Sequence, residues 1–242
     1  MDGDITVCTD MGLIVPGKLN LNLGCGTRRV IGYVNCDLYP GDTVDIAFDA
    51  QGQWPFDDNT VDAIYSSHLL EHLSNPMAFF REMWRCLKPG GTVMLRMPYG
   101  SHRSAWGDIT HVRPWFPESF CCIQPGYSET SKNRQYNGND PAFWVQNCTL
   151  ILSRGWSKLY HWPLRAFMWW GAHNFPGIVE ELRAFLKKTT RDDRSKPANI
   201  VGMSIALKVY PKNATDPNEA QGIFQVENPT WFETKLVSWL EK

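Results

Sequence analysis

The sequence has little that would direct it to a membrane or to a polyanion. Its 242 residues contain no apolar run long enough to cross a bilayer, and the acidic N-terminus lacks the basic and apolar regions of a signal peptide. The formal net charge is only −1, so no general attraction to nucleic acid or anionic lipid is expected. We therefore expect a cytoplasmic protein with no membrane partner, and we do not expect nucleic acid as its partner.

Cysteine is present but shows no pattern for metal or disulfide bonding. The seven cysteines are odd in number, and no two of them are separated by two residues. Reduced, mostly buried thiols are the simplest interpretation, and the spacing predicts no metal site. The rest of the composition, 43% apolar and 20% charged, is typical of a globular chain long enough for one large domain.

The stretch from residue 18 to residue 37 organises the chain. Alternating leucines predict a strand that stops at Gly24-Cys25-Gly26, where two glycines let the backbone turn tightly and approach a ligand. A second strand-like run ends at Asp37. Strand, glycine turn and terminal acid are the parts of a dinucleotide-type site, in which the acid takes the ribose hydroxyls.

Strands and helical connections alternate through the next sixty residues. Only ten residues separate Gly26 from Asp37, so the first crossover helix should be short or degenerate. An amphipathic helix is predicted over Leu69–Leu87, with Pro76 as the position where it could be broken. Further strands are predicted at residues 44–48, 61–66, 92–97, 143–152 and 200–210, and a short terminal helix at 231–240. This alternation favours an α/β fold with a doubly wound, mostly parallel sheet.

An ordered set of motifs carries a family resemblance. The segments LNLGCG, NCDL, FDA, WPFDDNTVDAIYSSHLLEHL and LKPGGTVMLRMP resemble the class I S-adenosylmethionine-dependent methyltransferases, especially the branch that acts on small molecules and sugars. The resemblance covers roughly residues 18–98. It implies a seven-stranded Rossmann-like sheet with an antiparallel last strand, in which residues 143–152 and 200–210 form the closing hairpin.

The resemblance also implies a domain plan. Residues 1–242 would form a single methyltransferase domain, with 18–98 as the cofactor-binding core and 99–142 as a substrate loop region. Residues 153–199 would be an inserted, aromatic-rich helical lid. Its tryptophans, tyrosine and phenylalanines could stack a sugar ring, a nucleobase or a lipid-like acceptor, or could simply form the core of the lid.

The cofactor residues follow from the same resemblance. Gly24 and Gly26 would line the methionine and ribose of S-adenosylmethionine, Asp37 would accept both ribose hydroxyls, and Asp49 would accept from the adenine amino group. The complete predicted set is Asn22, Gly24, Cys25, Gly26, Asp37, Leu38, Asp49, Ala50, Ser66 and Ser67. Two positions depart from the family pattern, because Asn22 replaces a common acid and Arg28 replaces a third glycine.

Candidate catalytic residues lie after the fourth and fifth strands. A hydroxyl acceptor needs a base, and the candidates are His111, His68 and His102, with Asp108 placed to orient the imidazole of His111. The predicted substrate-binding residues are Tyr99, Arg113 and Trp115, of which the arginine would clamp an anionic group. A plain loop tied to the scaffold by hydrogen bonds is the alternative. The pair Glu71-His72 would fix the following helix rather than take part in catalysis.

Three functions remain open on these observations. The leading one is methyl transfer to an oxygen, or less commonly a nitrogen, of a small molecule or glycan. A nucleic-acid methyltransferase is the second, although Ser66-Ser67-His68-Leu69 stands where the amino-methylating DNA enzymes carry an Asn/Asp-Pro-Pro-aromatic motif. A non-catalytic cofactor-fold binding module is the third, and the two acids Asp37 and Asp49 argue against it. The oligomeric state is left open.

Overall fold

The computed structural model describes residues 18–124, 141–152, 176–189, 204–209 and 221–226, which build one twisted sheet with few helices. Its strands are β1 (Asn20–Leu23), β2 (Val34–Asp37), β3 (Ile46–Ala47), β4 (Val61–Ser67), β5 (Leu87–Pro98), β6 (Phe143–Leu152), β7 (Val179–Lys188), β8 (Ser204–Val209) and β9 (Gln221–Val226). The helices of these ranges are α1 (Pro76–Cys86), α2 (Ser104–Gly107) and two 3₁₀ helices, Leu70–His72 and Pro117–Ile123.

The sheet has the predicted Rossmann-like core. In the described ranges its order is β3-β2-β1-β4-β5-β7-β6-β8-β9, and β1 to β5 are all parallel. Strand β7 is antiparallel to both β5 and β6. The first seven strands therefore confirm the mostly parallel arrangement with an antiparallel last strand. Strands β8 and β9 extend this sheet beyond β6, with β8 parallel to β6.

The position of the antiparallel strand was wrongly predicted. The range 143–152 is confirmed as β6, but its antiparallel partner is Val179–Lys188, inside the predicted helical lid. The predicted strand 200–210 contains β8, which pairs parallel to β6. The error arose because charged residues occupy five of the ten positions of β7 without strict alternation, so the period of two that indicates a strand is obscured.

The structure does not describe the remainder of the predicted lid. Residues 153–175 and 190–199, with most of the aromatic residues, lie outside the described residues, as does the predicted terminal helix at 231–240. The same is true of residues 125–140 in the predicted substrate loop region. The division of the chain into core, loop region and lid therefore stays a prediction outside the residues that form β7.

An asparagine stabilises the connection between β1 and β2, which contains no helix within the described residues. Asn35 Oδ1 accepts hydrogen bonds from the Val30 backbone N–H and from Asn22 Nδ2, both at 2.8 Å. Its Nδ2 donates to the carbonyl oxygens of Val30 and Tyr33 at 3.2 and 3.0 Å. Because this fully buried side chain satisfies the backbone of the connection, ten residues close it without a crossover helix.

The predicted break near Pro76 is confirmed. The 3₁₀ helix Leu70–His72 ends before α1, whose first residue is Pro76 and whose N-cap Asn75 accepts a hydrogen bond from Ala78 N. Proline at this position loses no helical hydrogen bond, which explains why it starts the helix. The buried face of α1 packs into the main core through Phe79, Phe80, Met83 and Cys86. None of the helices described is long and apolar enough to cross a membrane.

The parallel register brings three strand ends to one edge of the sheet. Leu23 at the end of β1 lies opposite Ser66 in β4, which in turn lies opposite Leu95 in β5. The segments that follow these strands therefore meet at the carboxyl edge, where open α/β sheets bind ligands. The glycine turn, the residues after β4 and the loop after β5 all lie there.

We predict that Gly91→Ala destabilises the sheet. A Cβ at Gly91 would lie 2.9 Å from Leu87 Cδ2 and from the Lys88 carbonyl oxygen, and 3.1 Å from the Asp62 carbonyl oxygen. Backbone atoms of two neighbouring strands cannot move away easily, so we expect a loss of about 1–3 kcal/mol in the free energy of unfolding, measured by urea denaturation. Gly41→Ala is the matched control because its Cβ would meet nothing within 4 Å. Equal midpoints for both variants would contradict the prediction.

Candidate functional site

The glycine turn after β1 is held open on one side and packed on the other. Gly24 and Gly26 have φ angles of +68° and +52°, the left-handed region that favours glycine. A Cβ at Gly24 would lie 3.0 Å from Leu69 Cβ, whereas one at Gly26 would meet nothing within 4 Å. The turn is therefore packed against the start of the segment after β4, and Gly26 borders open space.

Asp37 lies directly against this turn, as its place at the end of β2 predicts. Its Oδ2 accepts a hydrogen bond from the Gly26 backbone N–H at 2.8 Å, and its Oδ1 lies 3.4 Å from the Tyr39 backbone N. Leu38 and Tyr39 beside it are exposed. The carboxylate is thus fixed at the border of the open space, where its remaining lone pairs can accept from vicinal hydroxyl groups.

Asp49 lies at the same edge, one strand further out. The Phe48 backbone N–H donates to the Asp37 carbonyl oxygen at 2.9 Å, which ties the segment after β3 to the end of β2. Asp49 Oδ1 accepts from the Gln51 backbone N–H at 2.8 Å. The Ala50 carbonyl oxygen accepts from the Trp54 indole at 3.0 Å. The two acids therefore stand on neighbouring parallel strand ends, with the glycine turn on the other side of Asp37.

Three predicted cofactor residues are used by the scaffold. Asn22 is buried and donates from Nδ2 to Asn35 Oδ1 and to the Arg28 carbonyl oxygen. Ser66 is buried and its hydroxyl donates to the Leu23 carbonyl oxygen at 3.0 Å, while the neighbouring Ser67 is partly exposed. Burial raises the pKa of the Cys25 thiol to about 11. Side chains in these positions support the turn, and only Ser67 among the serines is open to a ligand.

A charged cluster occupies the end of β4. His68 has a φ of +55°, uncommon for a residue with a side chain, and its Nδ1 lies 3.1 Å from Glu71 Oε1. On its other side, Nε2 is 3.9 Å from Glu181 Oε2 in β7. Arg96 in β5 donates to both oxygens of Glu181, at 3.0 and 2.8 Å. The carboxylate of β7 thus joins three strand ends in one buried network.

The neighbouring charges determine the protonation states of His68 and Glu181. Burial would lower the pKa of His68, but its contacts with Glu181 and Glu71 outweigh burial and raise the pKa to about 9. Burial would raise the pKa of Glu181, but His68 and Arg96 hold it well below its usual range. His68 is therefore a cation at neutral pH, which makes it a poor candidate for the base that the sequence proposed.

Sequence reasoning missed Arg96 and Glu181. Arg96 interrupts the apolar run VMLRMP, and a charged residue in a central strand is a signal for a buried ion pair. Its partner could not be identified from the sequence, because Glu181 is 85 residues away and lies in the segment that read as a helical lid.

His111 and His72 come together, although they are 39 residues apart in the chain. Their ring centroids are 4.7 Å apart in an edge-to-face arrangement. His111 Nδ1 lies 3.2 Å from the Ala105 carbonyl oxygen, and His72 Nδ1 lies 3.0 Å from Thr110 Oγ1. A further bond from the Val112 backbone N–H to the Glu71 carbonyl oxygen, at 2.8 Å, ties the loop after α2 to the 3₁₀ helix.

Asp108 orients His111 less directly than the Asp-x-x-His spacing predicted. Its Oδ2 is 3.8 Å from His111 Nε2, too far for a hydrogen bond. Its Oδ1 accepts instead from the Thr110 backbone N–H and hydroxyl at 2.9 and 2.7 Å. Ala105 O is therefore the group that orients the His111 ring, and Asp108 acts on His72 through Thr110.

Of the two remaining loop candidates, His102 and Arg113, only His102 is among the residues that line a cleft. A cavity of about 530 Å³ lies between the loop after β5 and the start of β7, lined by Ser101, His102, Arg103, Trp106, Pro176, Gly177 and Glu180. The pKa of His102 is lowered by burial, and its Nδ1 lies 2.6 Å from Ser104 Oγ. Arg113 is outside this lining and donates to the Ser74 carbonyl oxygen at 2.9 Å.

Two predicted substrate-binding aromatics belong to the core. Tyr99 and Trp115 are 3% and 4% exposed and are joined by an isolated β-bridge. Their rings pack against Phe116 and Phe120, with centroids 5.4 and 5.6 Å apart. Neither ring presents a face to a ligand, so their assignment to substrate binding is corrected. Both side chains are part of the main hydrophobic core.

Comparison with known proteins identifies the first part of the chain. Residues 21–95 match a family model described as a methyltransferase domain. No curated protein matches the sequence. A solved S-adenosylmethionine-dependent methyltransferase from Archaeoglobus fulgidus is 13% identical, with a TM-score of 0.50 over 73% of this chain and 88% of that chain. A sarcosine dimethylglycine methyltransferase candidate from Galdieria sulphuraria is 16% identical, with a TM-score of 0.46 over 74% and 81%.

At such identities the structural likeness shows the fold alone, and the family match adds the function. Together with the strand order they support a class I S-adenosylmethionine-dependent methyltransferase domain that contains residues 21–95, with S-adenosylmethionine as its cofactor. The residues present fit this cofactor, because the Asp37 carboxylate and the unobstructed face of Gly26 border one space. The expected class and cofactor are thus confirmed, and the sugar-type branch stays a proposal.

We predict a pH-dependent contribution of His68 to stability. Its pKa is about 9 in the folded protein and about 6.5 in an unfolded chain. The stabilisation is therefore complete below pH 6.5 and is lost as the pH rises to 9. The side chain is 46% exposed, so solvent screening limits the effect to about 1 kcal/mol.

Free energies of unfolding measured across this window test that prediction. The wild-type stability should decline more steeply between pH 6.5 and 9 than that of His68→Gln. His102→Gln is the matched control and should keep the wild-type decline, since the pKa of His102 is lowered. Parallel curves for wild type and His68→Gln would contradict the ion-pair account.

Proposed function

We propose that this enzyme transfers the methyl group to an oxygen, with nitrogen as the lesser option, of a small molecule or saccharide. The observation that carries the proposal is a pair of imidazoles, His72 and His111, beside the cofactor turn. The 3₁₀ helix that contains His72 follows Leu69, which packs on Gly24. A hydroxyl must lose its proton during or after attack, and imidazole nitrogens at this position serve that need.

Cofactor binding is assigned to the carboxyl edge of β1, β2 and β3. We infer that Asp37 accepts the ribose hydroxyls, that Asp49 and Ala50 face the adenine, and that the turn Gly24-Cys25-Gly26 borders the methionine end. Leu38, which is exposed beside Asp37, belongs to the same proposed cofactor edge. Asn22 and Ser66 support this site from below through their buried hydrogen bonds.

Methyl transfer from this cofactor requires no activation of the methyl group by the protein. The bound cofactor supplies an electrophilic sulfonium methyl group, so the chain must align the acceptor and exclude water. Positioning of this kind contributes several kcal/mol to catalysis. The cation of His68, at the end of β4 beside Ser67, adds a fixed positive charge that favours an electron-rich acceptor nearby.

The cleft after β5 supports a small acceptor. Its volume of about 530 Å³ lies in the range of small-molecule sites. The Trp106 ring is 67% exposed while its Nε1 donates to the Gly100 carbonyl oxygen at 2.8 Å, so the ring is fixed with a face available for a sugar. Arg103 in the same lining offers charge-assisted hydrogen bonds to hydroxyl or acidic groups.

Asp37→Asn tests the cofactor assignment. Losing the negative charge and one acceptor should raise the Kd for S-adenosylmethionine about tenfold or more, measured by isothermal titration calorimetry. Asp42→Asn, an exposed acid in the adjacent loop, should bind like the wild type. Wild-type affinity in Asp37→Asn would reject the assignment, and no binding by the wild type would favour the binding-module interpretation.

His111→Ala tests the acceptor side. We expect turnover at saturating acceptor to fall about 10²-fold, because an imidazole nitrogen beside the reacting oxygen is lost. The acceptor is first found by mass spectrometry with isotope-labelled cofactor against sugars, hydroxylated metabolites, amines and an RNA oligonucleotide. Gln53→Ala, at an exposed position outside the proposed site, is the control. Full turnover in His111→Ala, or labelling of the oligonucleotide alone, would overturn the proposal.

A further inference from the structure

Three chemically suitable side chains converge next to the cofactor turn. Glu71, His72 and His111 each offer one ligand atom, and these three atoms lie within 4.8 Å of one another. The glutamate and the first histidine come from the 3₁₀ helix after β4, and the second histidine comes from the loop after α2. Neither the sequence analysis, which predicted no metal site, nor the methyltransferase assignment explains this convergence.

The hydrogen bonds of Thr110 fix the tautomer of His72. The Thr110 hydroxyl has one proton, which it donates to Asp108 Oδ1 at 2.7 Å. Towards His72 Nδ1, at 3.0 Å, the same oxygen can only accept. The neutral His72 ring therefore carries its proton on Nδ1, and the lone pair is on Nε2.

A carbonyl group fixes the second imidazole in the same way. His111 Nδ1 lies 3.2 Å from the Ala105 carbonyl oxygen, which can only accept a hydrogen bond. The neutral ring therefore donates from Nδ1 and keeps its lone pair on Nε2. The ring is held with only 8% of its side chain exposed, so this orientation is maintained by packing as well. Two nitrogen lone pairs are thus presented by neighbouring rings.

Glu71 supplies an oxygen that has no partner. The residue is 2% exposed, and its Oε1 contacts His68 Nδ1 at 3.1 Å. Its Oε2 is buried without a hydrogen-bond partner among the described residues. A buried carboxylate oxygen left unpaired is unfavourable unless something binds it. Because Glu71 belongs to the cluster, its unpaired oxygen adds an available oxygen donor to the two imidazoles.

We propose that Glu71, His72 and His111 bind a divalent transition-metal ion of the Zn²⁺ class. Two imidazoles and one carboxylate are a ligand set of catalytic zinc and non-haem iron sites, in which further coordination positions stay open. Metal-binding histidines usually donate their other ring N–H to a carbonyl, hydroxyl or carboxylate. Ala105 and Thr110 fill that role here, and His68 orients the carboxylate.

The catalytic role of this metal ion rests on the proposed function, whereas the assignment of its three ligands does not. An ion held by these three side chains would keep further coordination positions for the acceptor oxygen and would ease loss of its proton. The two imidazole nitrogens of the proposed function would then act through the metal. This reading also accounts for Glu71-His72, which the sequence analysis assigned to fixing a helix.

Metal titration of the full-length protein tests the proposal without relying on activity. The protein is stripped with a chelator, then titrated with Zn²⁺ by calorimetry and with Co²⁺ by visible absorption, whose ligand-field bands report nitrogen and oxygen coordination. We expect one ion per chain at this site. In Glu71→Gln, His72→Gln and His111→Gln the Kd should rise at least tenfold and the Co²⁺ bands should change.

Matched controls separate this site from others. His102→Gln removes a nearby histidine outside the cluster and should bind Zn²⁺ like the wild type. Circular dichroism confirms that each variant is folded, and Thr110→Val, which removes only the hydroxyl that orients His72, provides a milder variant with an intermediate Kd. Absence of Zn²⁺ binding, or binding unchanged by all three ligand variants, would overturn the proposal.

Activity measurements then distinguish the two proposals. If methyl transfer to an oxygen acceptor continues in fully stripped enzyme that binds no Zn²⁺, the metal inference fails and the proposed function stands. If Zn²⁺ binds through these three residues but only the RNA oligonucleotide is methylated, the metal inference stands and the proposed acceptor class fails.

Discussion

The contact between Gly24 and Leu69 is the constraint on which the site depends. The glycine turn and the segment after β4 approach so closely that an added Cβ would lie 3.0 Å from the leucine side chain. This contact joins the cofactor side to the 3₁₀ helix Leu70–His72, since the helix begins directly after the leucine. The histidines that we propose for the acceptor side are therefore linked to the turn that we propose for the cofactor.

Buried charge forms the second organising feature of this edge. The ion pair of Arg96 and Glu181 crosses from β5 to β7, and His68 extends it to β4. Partners of opposite charge offset the desolvation of Arg96 and Glu181, and loss of Glu181 would remove the carboxylate that both Arg96 and Arg183 contact. The network thereby fixes where β4 ends and holds His68 in its left-handed conformation.

Local patterns predicted the parts of the fold that depend on local sequence. The glycine turn, Asp37 at the end of β2, the break at Pro76 and the strand β6 were all readable from short-range patterns. The placement of β7 could not be predicted in this way, because pairing with β5 and β6 buries a segment in which half of the residues are charged. The contact of His72 with His111 could not be predicted either, since the 3₁₀ helix and the distant loop are joined by a backbone hydrogen bond between Val112 and Glu71.

The late position of β7 in the chain affects how the protein is made. Strands β1 to β5 are complete by residue 98, but β5 pairs on its outer side with a segment that begins at residue 179. During synthesis β5 is therefore an open edge rich in buried apolar residues, the kind of surface that pairs with other chains. The ribosome must deliver about eighty more residues before that edge is covered, which makes chaperone access and translation speed determinants of yield.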